Sequence, residues 1–145
     1  MAESLKADIF EKFDVKGADV RTYSPLALAY IGDSIFDVIV RSILVGKGNA
    51  PVNKLHRSAS AVVNARVQAD MVESIMEELS EEEVAVFKRG RNSKPHTKAK
   101  NASTGEYLEA TGFEALLGYL YLKDDMERVY ELVSMAFDRC DITIS

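Results

Sequence analysis

Apolar residues in this chain recur at helical spacing in long runs, and no credible strand pattern interrupts them. The clearest element runs from Ser24 to about Val45. Ser24 is a good N-cap, Pro25 suits the first helical position, and Gly46 and Gly48 end the run. Its interior, LALAYIGDSIFDVIVRSILV, is apolar nearly all the way round, which predicts a helix buried in the middle of a bundle. A second helical region opens near Pro51 and runs to Leu79 with a break near Ser60. Ser80 followed by Glu83 is a capping box, and the short helix it opens is expected to close at Gly90. Residues 90–102, polar, basic and containing Pro95, read as an exposed loop. Ser103 with Glu106 makes a second capping box, whose helix should carry GEYLEATGFEALLGYLYL to Asp124 or Asp125. A last amphipathic helix is expected from Met126 to Arg139, ahead of the tail DITIS. The sum is an all-α fold of five to seven helices in a single domain spanning residues 1–145.

Composition narrows the class. With 145 residues, 47% hydrophobic and 28% charged, the chain can bury a core without a metal or disulfide staple, and disorder is disfavoured. The single Cys140 has no partner for an intramolecular bridge, which fits a reducing compartment. No apolar run approaches a membrane span, and the polar start MAESLKADIFEKFD lacks a signal-peptide core, so the expectation is a cytoplasmic protein with no membrane association.

Net charge is −5, but the charge is segregated. From Met71 to Phe87 there are six acids and no base, whereas from Lys88 to Lys100 there are six bases and no acid. Arg41 to Arg66 is a second stretch with bases only. Two basic tracts in an acidic protein point to a local anionic partner. Lys88, Arg89, Arg91, Asn92, Lys94, Lys98 and Lys100 form a set able to grip phosphates and ribose hydroxyls without reading bases, as double-stranded RNA requires. His56 and Arg57 extend the patch from a neighbouring helix. The plain alternative is a solvated loop. The acids from Glu77 to Glu83 read as a solvated face that complements a helix dipole.

Two carboxylates stand apart, Asp33 in AYIGDSIF and Glu114 in TGFEALLGYL, because each lies in a helix expected to be buried. Buried carboxylates need a partner. Glycines flank both, Gly32 beside Asp33 and Gly112 and Gly118 around Glu114, a hint of close backbone approach. Converging from facing helices, the two acids would form an oxygen-only site suited to magnesium, with manganese as a substitute. The competing reading is a pair of structural acids, each bonded to an arginine or capping a helix. Asp37, four residues after Asp33, is either a supporting carboxylate or, as the i,i+4 spacing favours, a surface partner of Arg41.

LALAYIGDSIF resembles the ribonuclease III signature region, and GFEALLGYLYL resembles that family's second motif, with Asp33 and Glu114 in the matching order; the resemblance spans residues 24–123. Leu26, Ala29 and Thr111 stand where full-length ribonuclease III carries further acids. Those losses, the KRGRN segment, and a chain too short for a double-stranded RNA-binding domain match the stand-alone Mini-ribonuclease III family.

The resemblance implies a homodimeric, magnesium-dependent endoribonuclease cutting double-stranded RNA to 5′-phosphate and 3′-hydroxyl ends, associated with maturation of the large-subunit ribosomal RNA precursor. It makes Asp33 and Glu114 the catalytic, metal-binding pair, and makes the basic set the RNA grip. The missing binding domain leaves room for a ribosomal particle or helper protein as partner. For the dimer surface, the apolar excess on the Leu26–Leu44 stretch points to Tyr30 and Phe36. Two other classes compete: a non-catalytic RNA-binding or ribosome-assembly module, and an all-α nucleotide pyrophosphohydrolase.

Overall fold

A computed structural model describes residues 4–93 and 104–145. Among these residues there are seven α-helices and no strand: α1 (Leu5–Lys12), α2 (Pro25–Lys47), α3 (Val52–Ser60), α4 (Ala65–Ile75), α5 (Glu81–Arg91), α6 (Thr104–Leu122) and α7 (Met126–Arg139). Short 3-10 turns occupy 20–22 and 76–78. The all-α expectation and the helix count hold. The helix α1 was not anticipated; Ser4 caps it, and it contributes no buried residue. It is tied down by Ser4 and Lys6, which both bond Asp124 at the turn between α6 and α7.

Capping chemistry sets the other boundaries. The Ser24 hydroxyl accepts from the Ala27 amide ahead of Pro25, Asn64 caps α4 by accepting from Val67, and Ser80 and Glu83 form the reciprocal box at the start of α5. Ser103, the other expected capping serine, lies outside the described residues, as do Lys94, Lys98 and Lys100.

The core centres on α6, not α2. Buried residues cover α6 from Ala110 to Tyr121 with only Glu114 half-buried, while α2, α4, α5 and α7 pack around it. Although α2 is apolar nearly all round, it keeps one arc outside: Tyr30 is 82% exposed, and Val38 and Val45 are exposed as well. Phe36, expected on a subunit surface, is instead fully buried and packs edge-on against Phe113 at 5.7 Å between ring centres. A helix apolar on every side can be central to one chain or can divide its faces between a core and a surface. Periodicity does not distinguish these.

Glycine governs how closely the helices approach. A Cβ on Gly32 would lie 1.7 Å from the carbonyl oxygen of Glu114, and one on Gly118 would lie 2.0 Å from the carbonyl oxygen of Leu28. At this crossing α2 and α6 touch backbone to backbone, so no residue with a side chain fits either position. Gly90 makes the same kind of contact with Gly112 and Ala115. It therefore lies inside α5, which continues through it to Arg91, and does not close the helix as expected.

Candidate active site at the α2–α6 crossing

The Gly32–Gly118 contact decides which side chains meet. Asp33 follows Gly32 on α2, and Glu114 is the residue whose carbonyl Gly32 touches, so the crossing sets the two carboxylates side by side. Glu114 is half-buried. Asp33, expected inside, is exposed, because one residue's rotation past Gly32 turns it onto the open arc of α2. The pair thus has a buried member and a member facing solvent. Burial comes first among the causes that push the Glu114 carboxyl up to about 9, followed by the hydrogen bond and the charge of Asp33; the Gln68 amide acts in the opposite direction.

Among the described residues no cation lies within ion-pairing distance of either acid. The structural alternative of an arginine-bonded pair therefore finds no support in the described contacts. Asp37 does have a cation, Arg41 at 3.1 Å, and takes the surface-pair role. Nor do the described residues hold a group of three or more His, Cys, Asp or Glu side chains able to bind a metal. Leu26 and Ala29 bring no oxygen ligand, and Thr111 is buried with its hydroxyl donating to the Tyr107 carbonyl at 3.0 Å, back into its own helix. Among the described residues the donor set is two hard carboxyl groups, which a bound cation would hold in their charged form. That set fits a divalent cation of the magnesium type, which binds through one or two carboxylates and keeps several waters.

One residue at the site carried no signal in the sequence. Gln68, only 4% exposed, projects from α4, and its Nε2 donates to Glu114 Oε2 at 3.5 Å. A glutamine in VNARVQADMV reads as a polar position on an amphipathic helix. Only the packing of α4 against α6 shows that it points inward.

The basic residues divide between two elements. Lys88, Arg89 and Arg91 belong to the last turn of α5 and not to a loop, with Asn92 as its C-cap. This places them where cations favour a helix dipole. Because Gly90 packs on Gly112 and Ala115, this basic turn crosses α6 at the level of Glu114. Lys88, Arg89 and Asn92 are exposed; Arg91 lies half-buried over the Phe87 ring, 5.5 Å from its centre. His56 and Arg57 are exposed on α3, and His56 shares a small cleft with Arg41 of α2.

The acidic run differs from its expected role. Glu83 is buried and held by Arg128 through two contacts of 2.8 Å, so it is not part of a solvated face. The capping box folds its side chain inward, where α7 supplies the cation. Glu82 bonds Lys123 at 3.0 Å, while Glu77 and Glu78 both bond Arg139.

Two glycine-tight helices presenting an aspartate and a glutamate define a class. Residues 26–125 match the ribonuclease III domain, and the chain belongs to the ribonuclease III family. Within it, the similarity is to proteins named Mini-ribonuclease 3. The Enterococcus faecalis protein is 46% identical over 80% of this chain and 89% of its own length. The Streptococcus pneumoniae protein is 41% identical over 85% and 98%, and that of Clostridium tetani is 43% identical over 83% and 80%. A crystal structure of a Fusobacterium nucleatum protein shares the fold at a TM-score of 0.76 and 30% identity, covering 84% of this chain and 98% of that one.

Proposed function

We propose that this protein is a metal-dependent endoribonuclease that cleaves double-stranded RNA, with Asp33 and Glu114 as the catalytic pair. The observation that carries the reading is the juxtaposition of these acids, with no paired cation among the described residues, at the crossing of α2 with α6, the helix that also packs against the basic end of α5. Family membership and the Mini-ribonuclease 3 relatives supply the reaction class.

Asp33 and Glu114 would hold the cation, Mg²⁺ or in its place Mn²⁺. That ion supplies an activated water and offsets the charge that builds on the phosphate. The protein's own contribution is positional. Glu114 is kept from bulk water by α6 and α4, and Asp33 stays open to solvent and substrate. Lys88, Arg89, Arg91 and Asn92, with His56 and Arg57, bind the duplex backbone, and Lys94, Lys98 and Lys100 extend that set in sequence. These contacts recognise shape and phosphate, not bases. Products with 5′-phosphate and 3′-hydroxyl ends follow from attack of water on the phosphorus with departure of the 3′ oxygen.

The active form in this reading is a homodimer. Tyr30 supports it: an aromatic ring 82% exposed on α2, three residues before Asp33, with Val38 and Val45 on the same open arc. A large-subunit ribosomal RNA precursor is the proposed substrate, and a ribosomal particle or protein that presents it the proposed further partner.

Cleavage of an end-labelled duplex RNA in magnesium tests the proposal. Wild type should cut, while Asp33→Asn and Glu114→Gln should bind in a gel shift yet lose about 10³-fold or more in rate. Binding by wild type without cutting any duplex, a ribosomal precursor stem included, would sink the enzyme reading in favour of a binding module. In sedimentation, Tyr30→Asp should run as a monomer where wild type runs as a dimer; an unchanged dimer would remove Tyr30 from the interface.

A further inference from the structure

We infer that Gln68 is a positioning residue, whose amide, delivered by α4 into the α2–α6 crossing, orients the Glu114 carboxylate so that it and Asp33 present their oxygens to one divalent cation. The inference rests on the proposed metal site and adds a residue to it. Its basis is geometric. Gln68 is one of three buried polar or charged residues among those described, with Glu83 and Thr111. The other two are explained by local needs, Glu83 by its capping box and Arg128, and Thr111 by its own helix. Gln68 reaches across 46 positions of sequence to Glu114.

Burying a primary amide costs free energy unless it is bonded, and its α4 neighbours Ala69, Met71, Val72 and Ile75 are all apolar and buried. An apolar residue at 68 would satisfy the core at lower cost. What an apolar residue cannot do is donate to a carboxylate, which accepts hydrogen bonds only.

The chemical type of the donor also matters. A lysine or arginine at this place would neutralise Glu114 and compete with a cation for it. An amide restrains the carboxylate and leaves its full charge available. At 3.5 Å the contact stands at the outer limit of a hydrogen bond. Supporting bonds of this kind are worth roughly 10- to 100-fold in metal affinity.

The test compares wild type with Gln68→Met, which keeps length and burial but removes the amide, in the full chain. Thermal shift is followed while Mg²⁺ or Mn²⁺ alone is titrated, and duplex cleavage is measured at low and saturating cation. Gln68→Met should raise the half-saturating cation concentration about tenfold. KM for the duplex should be unchanged, and kcat should return to within about twofold of wild type at saturating cation. A half-saturation point within twofold of wild type, or a loss of activity that excess cation does not restore, overturns the inference. If Gln68→Met does not fold, Gln68→Asn, which keeps an amide but withdraws it by one methylene, is read by the same criteria. Failure of the underlying site looks different. In that case wild type shows no cation-dependent shift, or Asp33→Asn and Glu114→Gln leave the shift intact.

Discussion

Two acidic regions of the molecule have opposite surroundings. At the α5–α7 side the one buried glutamate, Glu83, meets Arg128, and the exposed Glu82, Glu77 and Glu78 also have cations, Lys123 for the first and Arg139 for the other two. At the α2–α6 crossing, Asp33 and Glu114 meet each other, and among the described residues no cation pairs with either. At Glu83 the first arrangement is what stability alone would produce, because a desolvated carboxylate needs a counter-charge. The second gives neither acid a counter-charge, so Glu114 holds its proton up to about 9 and hydrogen-bonds Asp33 inside a crossing that two glycines hold rigid. Unfavourable electrostatics held in place by tight packing mark the second region as a site prepared for a positive ligand.

The comparison breaks most severely at Gly32. Gly32→Ala puts a methyl group 1.7 Å from the Glu114 carbonyl oxygen, so α2 and α6 must separate. The expected cost is about 3 kcal/mol or more in a denaturant melt, together with lost cleavage. Wild-type stability in this variant would show that the crossing yields easily and does not hold the acids.

Arg128→Met tests the paired region. It strands Glu83 in a buried position, and the expected loss is about 2 kcal/mol at neutral pH, below the figure for a fully buried pair because Arg128 retains some exposure. Arg128 holds the Glu83 carboxyl below its ordinary range. A depressed carboxyl contributes stability above its unfolded value and loses that contribution as pH falls through its folded value. The gap between wild type and variant should therefore narrow on acidification; a gap constant across that range would show that the ion pair does not carry the effect.

The smallest effect has the opposite sign. In cation-free buffer, Glu114→Gln should raise the melting temperature by a few degrees near neutral pH. The raised carboxyl penalises the folded wild type, and this penalty grows as pH climbs from the ordinary carboxyl range toward about 9. Added Mg²⁺ should close the difference by stabilising wild type alone. A variant less stable than wild type in chelator would show that Glu114 is held by favourable bonds and not by packing.

Most of the helical architecture was legible along the chain. Caps at Ser24 and Ser80, the break after Ser60 and the Asp37–Arg41 spacing are local matters, decided within one or two turns of backbone. Glycine next to each candidate acid was legible too, since a helix tolerates glycine poorly unless something must come close. The short helix α1 was not legible there: Leu5, Ile9 and Phe13 recur at four-residue spacing, but the run is short and none of it enters the core.

Sequence alone therefore determined six of the seven described helices, the two acids and the segregation of charge, all of which depend on near neighbours. Tertiary structure decided which apolar helix is central, that Phe36 turns inward while Tyr30 turns outward, that Arg128 claims Glu83, and that Gln68 reaches Glu114. Each of these depends on the rotation of one helix against another. That rotation is set by close contacts such as Gly32 on Glu114 and Gly118 on Leu28, where backbones meet with no side chain between them.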